Sequence, residues 1–199
     1  MGSTAFLPWY VRHFLKKYKR LRDLHKIESR NPTATIEEDV LVLNRKKLFL
    51  GLHVYVSKGT LLHCGGGAWC DHGGRISIGD HVYIGPYGIL LGAGEIEIQK
   101  GCQLGPQVQI ISHGLARDVR DDVGLLEGDV PPHKFGKVTL EEGVVVGAGS
   151  IILEGVTVGR GSGVSAGSIV QKDVPPDSLV VSGRRGKIVD KKSSLFLPT

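Results

Sequence analysis

From Val138 to Gln171 the chain repeats one pattern every six residues. Leu140, Val146, Ile152, Val158, Val164 and Val170 are branched aliphatics. Four residues after each stands a small one: Val144, Ser150, Val156, Ser162, Ser168 and Val174. A period of six matches neither the helical period nor the alternation of a half-buried strand. It is the signature of a β-helix, in which each hexad supplies one short strand and one corner. The aliphatic side chain points into a narrow core and the small residue packs inside the turn. Three hexads close a triangular coil, and stacked coils bury each other's interior. The pattern therefore predicts an all-β, parallel β-helix of hexapeptide repeats.

Upstream the same step runs from Ile36 with interruptions. Leu50, Val56 and Leu62 form one set, Ile78, Ile84 and Leu90 the next, and Ile98, Leu104 and Ile110 another. Residues 63–77 break the register as a glycine-rich insertion, and a short extension surrounds Gly94. One long excursion loop, 113–137, is polar, charged and proline-containing. Loops of that length in a compact repeat fold are usually functional. Before the repeats, Val11, Phe14, Leu15, Tyr18, Leu21 and Leu24 fall near helical spacing with basic residues between them. They predict an amphipathic helix that packs on the β-helix or a neighbouring subunit, or that rests on an anionic membrane surface. Asn31-Pro32 ends it. The expected organisation is a helical segment over 1–35, a β-helix over 36–175 and a tail over 176–199.

Composition narrows the function. The 29 glycines follow no collagen period, so they belong to turns. Of the net charge of +5, the surplus is N-terminal: residues 1–30 hold eight Lys/Arg against two acids. A nucleic-acid-binding face on the β-helix is not expected. No apolar run is long enough for a membrane span, and no secretory leader is recognisable. Three cysteines, Cys64, Cys70 and Cys102, point to a reduced cytoplasm. The grouping of Cys64 and Cys70 with His63 and His72 fits no common zinc knuckle, so no metal is expected.

Three stretches carry a resemblance. They are IGDHVYIG at 78–85, the run from Val138 to Pro176, and the histidine of IISHGL at 110–115. In them the chain resembles the left-handed β-helix acyltransferases. It is similar to the branch of maltose, galactoside and nodulation-factor acetyltransferases and of capsule or lipopolysaccharide O-acetyltransferases. The resemblance covers about residues 50–190. It implies a left-handed coil, a homotrimer with active sites between subunits, and acetyl-coenzyme A as acyl donor. It also implies that the backbone at Ala148 and Ala166 meets the pantetheine arm and that Lys187 occupies a basic cofactor position. The chain departs from the family at Val145-Val146-Gly147, where a tryptophan is common, and at Gly85-Pro86, where the sugar acetyltransferases carry an asparagine.

The chemistry needs a base, because an acceptor hydroxyl must lose its proton as it attacks a thioester. A neutral imidazole suits that task. His113 stands where the long loop leaves the coil and is the candidate base; His133, in the same loop, is the second and a candidate for acceptor binding. A base histidine is normally oriented by a partner on its other nitrogen. Glu95 is the candidate carboxylate, with a backbone carbonyl as the alternative. Trp69, in the glycine-rich insertion, could stack on a sugar. Arg160, Arg184 and Arg185 join Lys187 as cations for the phosphates of coenzyme A.

The expected function is acetyl-coenzyme-A-dependent O-acetylation of a sugar or glycan hydroxyl by direct transfer, with a rate that rises through an ionisation near pH 6–7. The alternatives are a sugar N-acetyltransferase, an antibiotic acetyltransferase, a β-helix carbonic anhydrase, for which His81 and His113 lack a suitably spaced third histidine, and a non-catalytic β-helix subunit.

Overall fold

The computed structural model describes residues 24–65, 73–115, 133–181 and 187–190. Most of the expected N-terminal helix, Trp69, Arg184, Arg185 and the end of the tail lie outside them. The described part is a three-faced parallel β-helix. Face A stacks β1 (Thr35–Ile36), β4 (Tyr55–Val56), β7 (Tyr83–Ile84), β10 (Gln103–Leu104), β15 (Val145–Val146), β18 (Gly163–Val164) and β20 (Ser178–Val181). Face B stacks β2 (Leu41–Leu43), β5 (Leu61–His63), β8 (Ile89–Leu91), β11 (Gln109–Ile111), β16 (Ile151–Ile152) and β19 (Ile169–Val170). Face C stacks β3 (Leu48–Leu50), β6 (Ile76–Ile78), β9 (Ile96–Ile98), β14 (Val138–Leu140) and β17 (Thr157–Val158), continued by a bridge from Val158 to Val174. β21 (Lys187–Asp190) returns antiparallel along β20.

The register explains the hexads. Each predicted aliphatic pairs with its counterpart one coil away, as Leu62 with Leu90 and Ile110 with Ile152. Leu62, Leu90, Ile110 and Ile152 are all 0% exposed. Burying an aliphatic side chain of this size contributes about 1.5–3 kcal/mol. The small residues turn the corners from inside. Ser150 Oγ donates to the Ser165 carbonyl at 3.0 Å, and Ser162 Oγ donates to the Pro175 carbonyl at 2.7 Å. Buried hydroxyls with such partners avoid the desolvation cost of an unpaired polar group. At the N-terminal end a helical turn over 24–28 buries Ile27 to 5% exposure and covers the first coil. No helix among the described residues is long and apolar enough to cross a membrane.

All the irregular spacing falls at one corner. The core residues step by six from face A to face B and from face C to face A in every coil. From face B to face C they run Val42 to Leu50, Leu62 to Ile78, Leu90 to Ile98 and Ile110 to Leu140 before settling at Ile152 to Val158. The glycine-rich insertion, the extension around Gly94 and the long excursion therefore rise from one edge of the prism. Coils pack closely there. A Cβ on Gly94 would lie 2.0 Å from the Ser112 carbonyl oxygen and 2.7 Å from the Gly136 nitrogen. Gly94→Ala is expected to cost about 1–3 kcal/mol, the usual price of overpacking, because the obstacle is backbone. A denaturation midpoint at wild-type level would contradict it.

The outer surfaces of the faces differ. On face C the outward residues Ser77, Glu97, Thr139 and Thr157 are polar, beside Phe49. Face B turns Leu41, Leu61, Ile89, Ile151 and Ile169 outward in one row interrupted by Gln109, with Leu43, Leu91 and Ile111 beside His63 in the next. Ile169 is 52% exposed and Leu43 is 40% exposed. The hexad rule fixes only the inward positions, so this aliphatic outer ladder is a separate feature of the sequence.

Candidate active site

The long excursion begins at a pinned residue. Ser112 is fully buried. Its backbone nitrogen and its Oγ both donate to the Leu91 carbonyl of the preceding coil, at 3.0 and 2.7 Å. Ser112 Oγ also accepts from the Gly94 nitrogen at 2.8 Å. The Gly136 nitrogen donates to the Ser112 carbonyl at 3.0 Å, so the departing and returning chains are held together. Between them β12 (His113–Leu115) and β13 (His133–Phe135) form an antiparallel stem with His113 opposite Phe135 and Leu115 opposite His133. The stem is why two histidines far apart in the chain meet. The His113 and His133 ring centroids are 5.9 Å apart, and His113 lies 6.3 Å from Phe135.

The site keeps His113 neutral. Burial comes first among the causes that push its pKa below the ordinary 6.5, followed by the charges of His133 and His63. The Leu91 carbonyl and the Glu154 carboxylate act in the opposite sense. An imidazole in this setting is unprotonated at neutral pH and can accept a proton.

Some expected site residues assemble here and some do not. His113 and His133 share the stem. Glu95 lies at the same corner in a left-handed conformation, φ 75°, but its carboxylate faces Arg75 at 3.8 Å. The neighbouring Glu97 pairs with Lys137. The groups that act on His113 include the Leu91 carbonyl and Glu154. Sequence reading missed Glu154 and weighed His63 only as a metal ligand. Both occupy the irregular corner, His63 directly after the core residue Leu62 and Glu154 two positions after Ile152. Recognising that all the insertions share one corner would have found them.

Ala148 and Ala166 stack on the A-to-B edge, a different edge from that of His113. The Gly149 nitrogen bonds the Pro106 carbonyl at 2.9 Å, and the Gly167 nitrogen bonds the Ala148 carbonyl at 2.8 Å. A Cβ at Gly147 would lie 2.4 Å from the Ala166 nitrogen, so only small residues allow this close backbone ladder. Arg160 is exposed on the third edge, its backbone nitrogen bonded to Glu141 Oε2 at 2.8 Å. Lys187 opens β21 opposite Val181. Trp69, Arg184 and Arg185 lie outside the described residues.

Other chemistries find little support in the described residues. Burial pushes the Cys64 thiol up to about 12 and the Cys102 thiol up to about 11, which leaves both poor nucleophiles. Among the described residues no group of three or more His, Cys, Asp or Glu is placed to hold a metal ion. His81 stacks on His53 at 5.0 Å on the C-to-A corner, away from His113.

No family model matches the chain. It is similar to nodulation protein L of Rhizobium meliloti, 38% identical over 113 residues, which are 56% of this chain and 58% of that protein. Among solved structures it is similar to the hexapeptide-repeat containing acetyltransferase VCA0836 of Vibrio cholerae complexed with acetyl-coenzyme A. That match has a TM-score of 0.58 and 29% identity, covering 73% of this chain and 72% of that one. In sequence and in fold the chain is thus similar to hexapeptide-repeat acetyltransferases. As in these neighbours, its coil is a left-handed parallel β-helix. A variant of AntD, an N-acyltransferase from Bacillus cereus with dTDP and coenzyme A bound, shares the fold at a TM-score of 0.67 and 20% identity, covering 83% of this chain and 88% of that one. The chain spans under two thirds of the length of nodulation protein L.

Proposed function

We propose that the protein is an acetyl-coenzyme-A-dependent O-acetyltransferase acting on a sugar or glycan hydroxyl in the cytoplasm. The observation that carries the reading is His113: a half-buried imidazole held neutral on the excursion stem, in a hexapeptide-repeat chain. His113 takes the acceptor hydroxyl proton as the oxygen attacks the thioester carbonyl. The tetrahedral intermediate collapses, the carbon–sulfur bond breaks, and the imidazolium returns the proton to the departing thiolate. Backbone N–H groups at a coil corner would hold the oxyanion. His133 and Trp69 line the acceptor side in this reading. The backbone at Ala148 and Ala166 meets the pantetheine arm, and Arg160, Arg184, Arg185 and Lys187 meet the phosphates. Glu95 serves at most indirectly, since its carboxylate faces Arg75.

The working form in this reading is a homotrimer. Within one chain, face B separates the His113 edge from the Ala148–Ala166 edge. A closed ring of three would bring the two edges together between neighbours and cover the aliphatic ladder of face B.

A thiol-release assay with acetyl-coenzyme A across a panel of sugar alcohols and amino sugars tests the reading. Release with a hydroxyl acceptor, lost in His113→Ala, is expected; no release with any acceptor would overturn it. A second reading is N-acylation of an amino sugar, and release confined to amine acceptors would select it. The cofactor cations have their own test. Arg184→Ala with Arg185→Ala is expected to weaken coenzyme A more than dephospho-coenzyme A, read by calorimetry. Equal weakening would move them off the 3′-phosphate.

A further inference from the structure

Glu154 is an acidic side chain set against the stem, with no role in the reaction described above. It stands at the irregular corner of the coil that follows the excursion, two residues beyond Ile152 of β16. Its carboxylate seats against Gly114, the residue after His113: a Cβ built on Gly114 would lie 3.3 Å from Glu154 Oε2 and 3.4 Å from Oε1. The coils are tight just beside it, where a Cβ on Gly136 would lie 2.6 Å from the Gly155 nitrogen. Glu154 is half-buried. The corner thus fixes a carboxylate under the first turn of the stem, and the absence of a side chain at Gly114 makes the room for it.

We propose that Glu154 is a positioning residue for the His113 base, its carboxylate holding the stem at Gly114 and supplying the negative charge that the imidazole needs when it takes a proton. The proposal rests on the acyl-transfer reading for its kinetic consequence, though not for the contact itself. Among the described residues, the charged groups that act on His113 include His63 from β5, His133 from β13 and Glu154. The two histidines oppose protonation and Glu154 favours it. Without Glu154 nothing acidic in that set offsets them. An imidazole too hard to protonate is a weak base, so the carboxylate raises its basicity while burial keeps it neutral at rest.

The test compares Glu154→Gln, Glu154→Asp and Gly114→Ala in the full chain. Glu154→Gln keeps size and loses charge. It should lower kcat about tenfold, the factor that accompanies one pKa unit, with acetyl-coenzyme A affinity unchanged. It should also move the acid limb of the rate profile to lower pH. Glu154→Asp should restore part of both. Gly114→Ala should push the carboxylate aside and reproduce part of the defect with the charge still present. In parallel, the imidazole resonances of His113, assigned with His113→Ala, are titrated by NMR in wild type and Glu154→Gln. A lower His113 pKa in the variant is expected whatever the activity. An unmoved titration overturns the proposal. A moved titration in a protein that cleaves no thioester leaves the contact standing and removes the acyl-transfer reading instead.

Discussion

His113→Ala is expected to lower kcat by about 10²–10⁴ while acetyl-coenzyme A still binds, the usual worth of a general base. A sugar hydroxyl ionises far above neutrality, so its proton must leave as the new carbon–oxygen bond forms. His113→Asn should fail similarly, because an amide keeps polarity but cannot accept the proton. The sign of the pH dependence follows from the site. Burial and two neighbouring histidines lower the His113 pKa below 6.5. The neutral, active form is then lost only as pH falls below the ordinary histidine range. The rate should be flat through neutrality and drop on an acid limb placed lower than the pH 6–7 expected from an unperturbed histidine. The limb should vanish with His113. A dead His133→Ala beside an active His113→Ala would put the base on the other strand of the stem.

Ile151→Glu with Ile169→Glu is expected to convert a trimer into monomers and to abolish activity with the fold intact. The two residues pair in register on β16 and β19 and point outward on face B. Placing a carboxylate in an apolar interface costs several kcal/mol per ion, enough to weaken association by at least about a hundredfold. Neither side chain contributes to the core, where Ile152 and Val170 sit, so circular dichroism should stay that of a β-helix. Sedimentation should show the change. A wild-type monomer at micromolar concentration, or a fully active monomeric variant, would remove the intersubunit site.

The β-helix was legible in the sequence because its rule is local. A hexad places one aliphatic side chain inward whatever the rest of the chain does, so Leu140 to Val170 announced the fold, and His113 announced itself by standing where the period stops. The partners of His113 were not legible. Parallel stacking makes His63, Leu91, His113 and Glu154 neighbours through coil register, and insertions of unequal length at one corner destroy any fixed sequence offset between them. Counting along the chain favoured Glu95, which is near in sequence and at the right corner, but its carboxylate finds Arg75. The aliphatic outer face shows the same division. Leu41, Ile89 and Ile169 read singly as unremarkable strand residues, and only the three-faced coil puts them on one surface. The sequence determined what lies inside the prism, since burial acts on each hexad alone. The tertiary structure decided what meets along its edges, since that depends on how far each corner was stretched before the next coil closed.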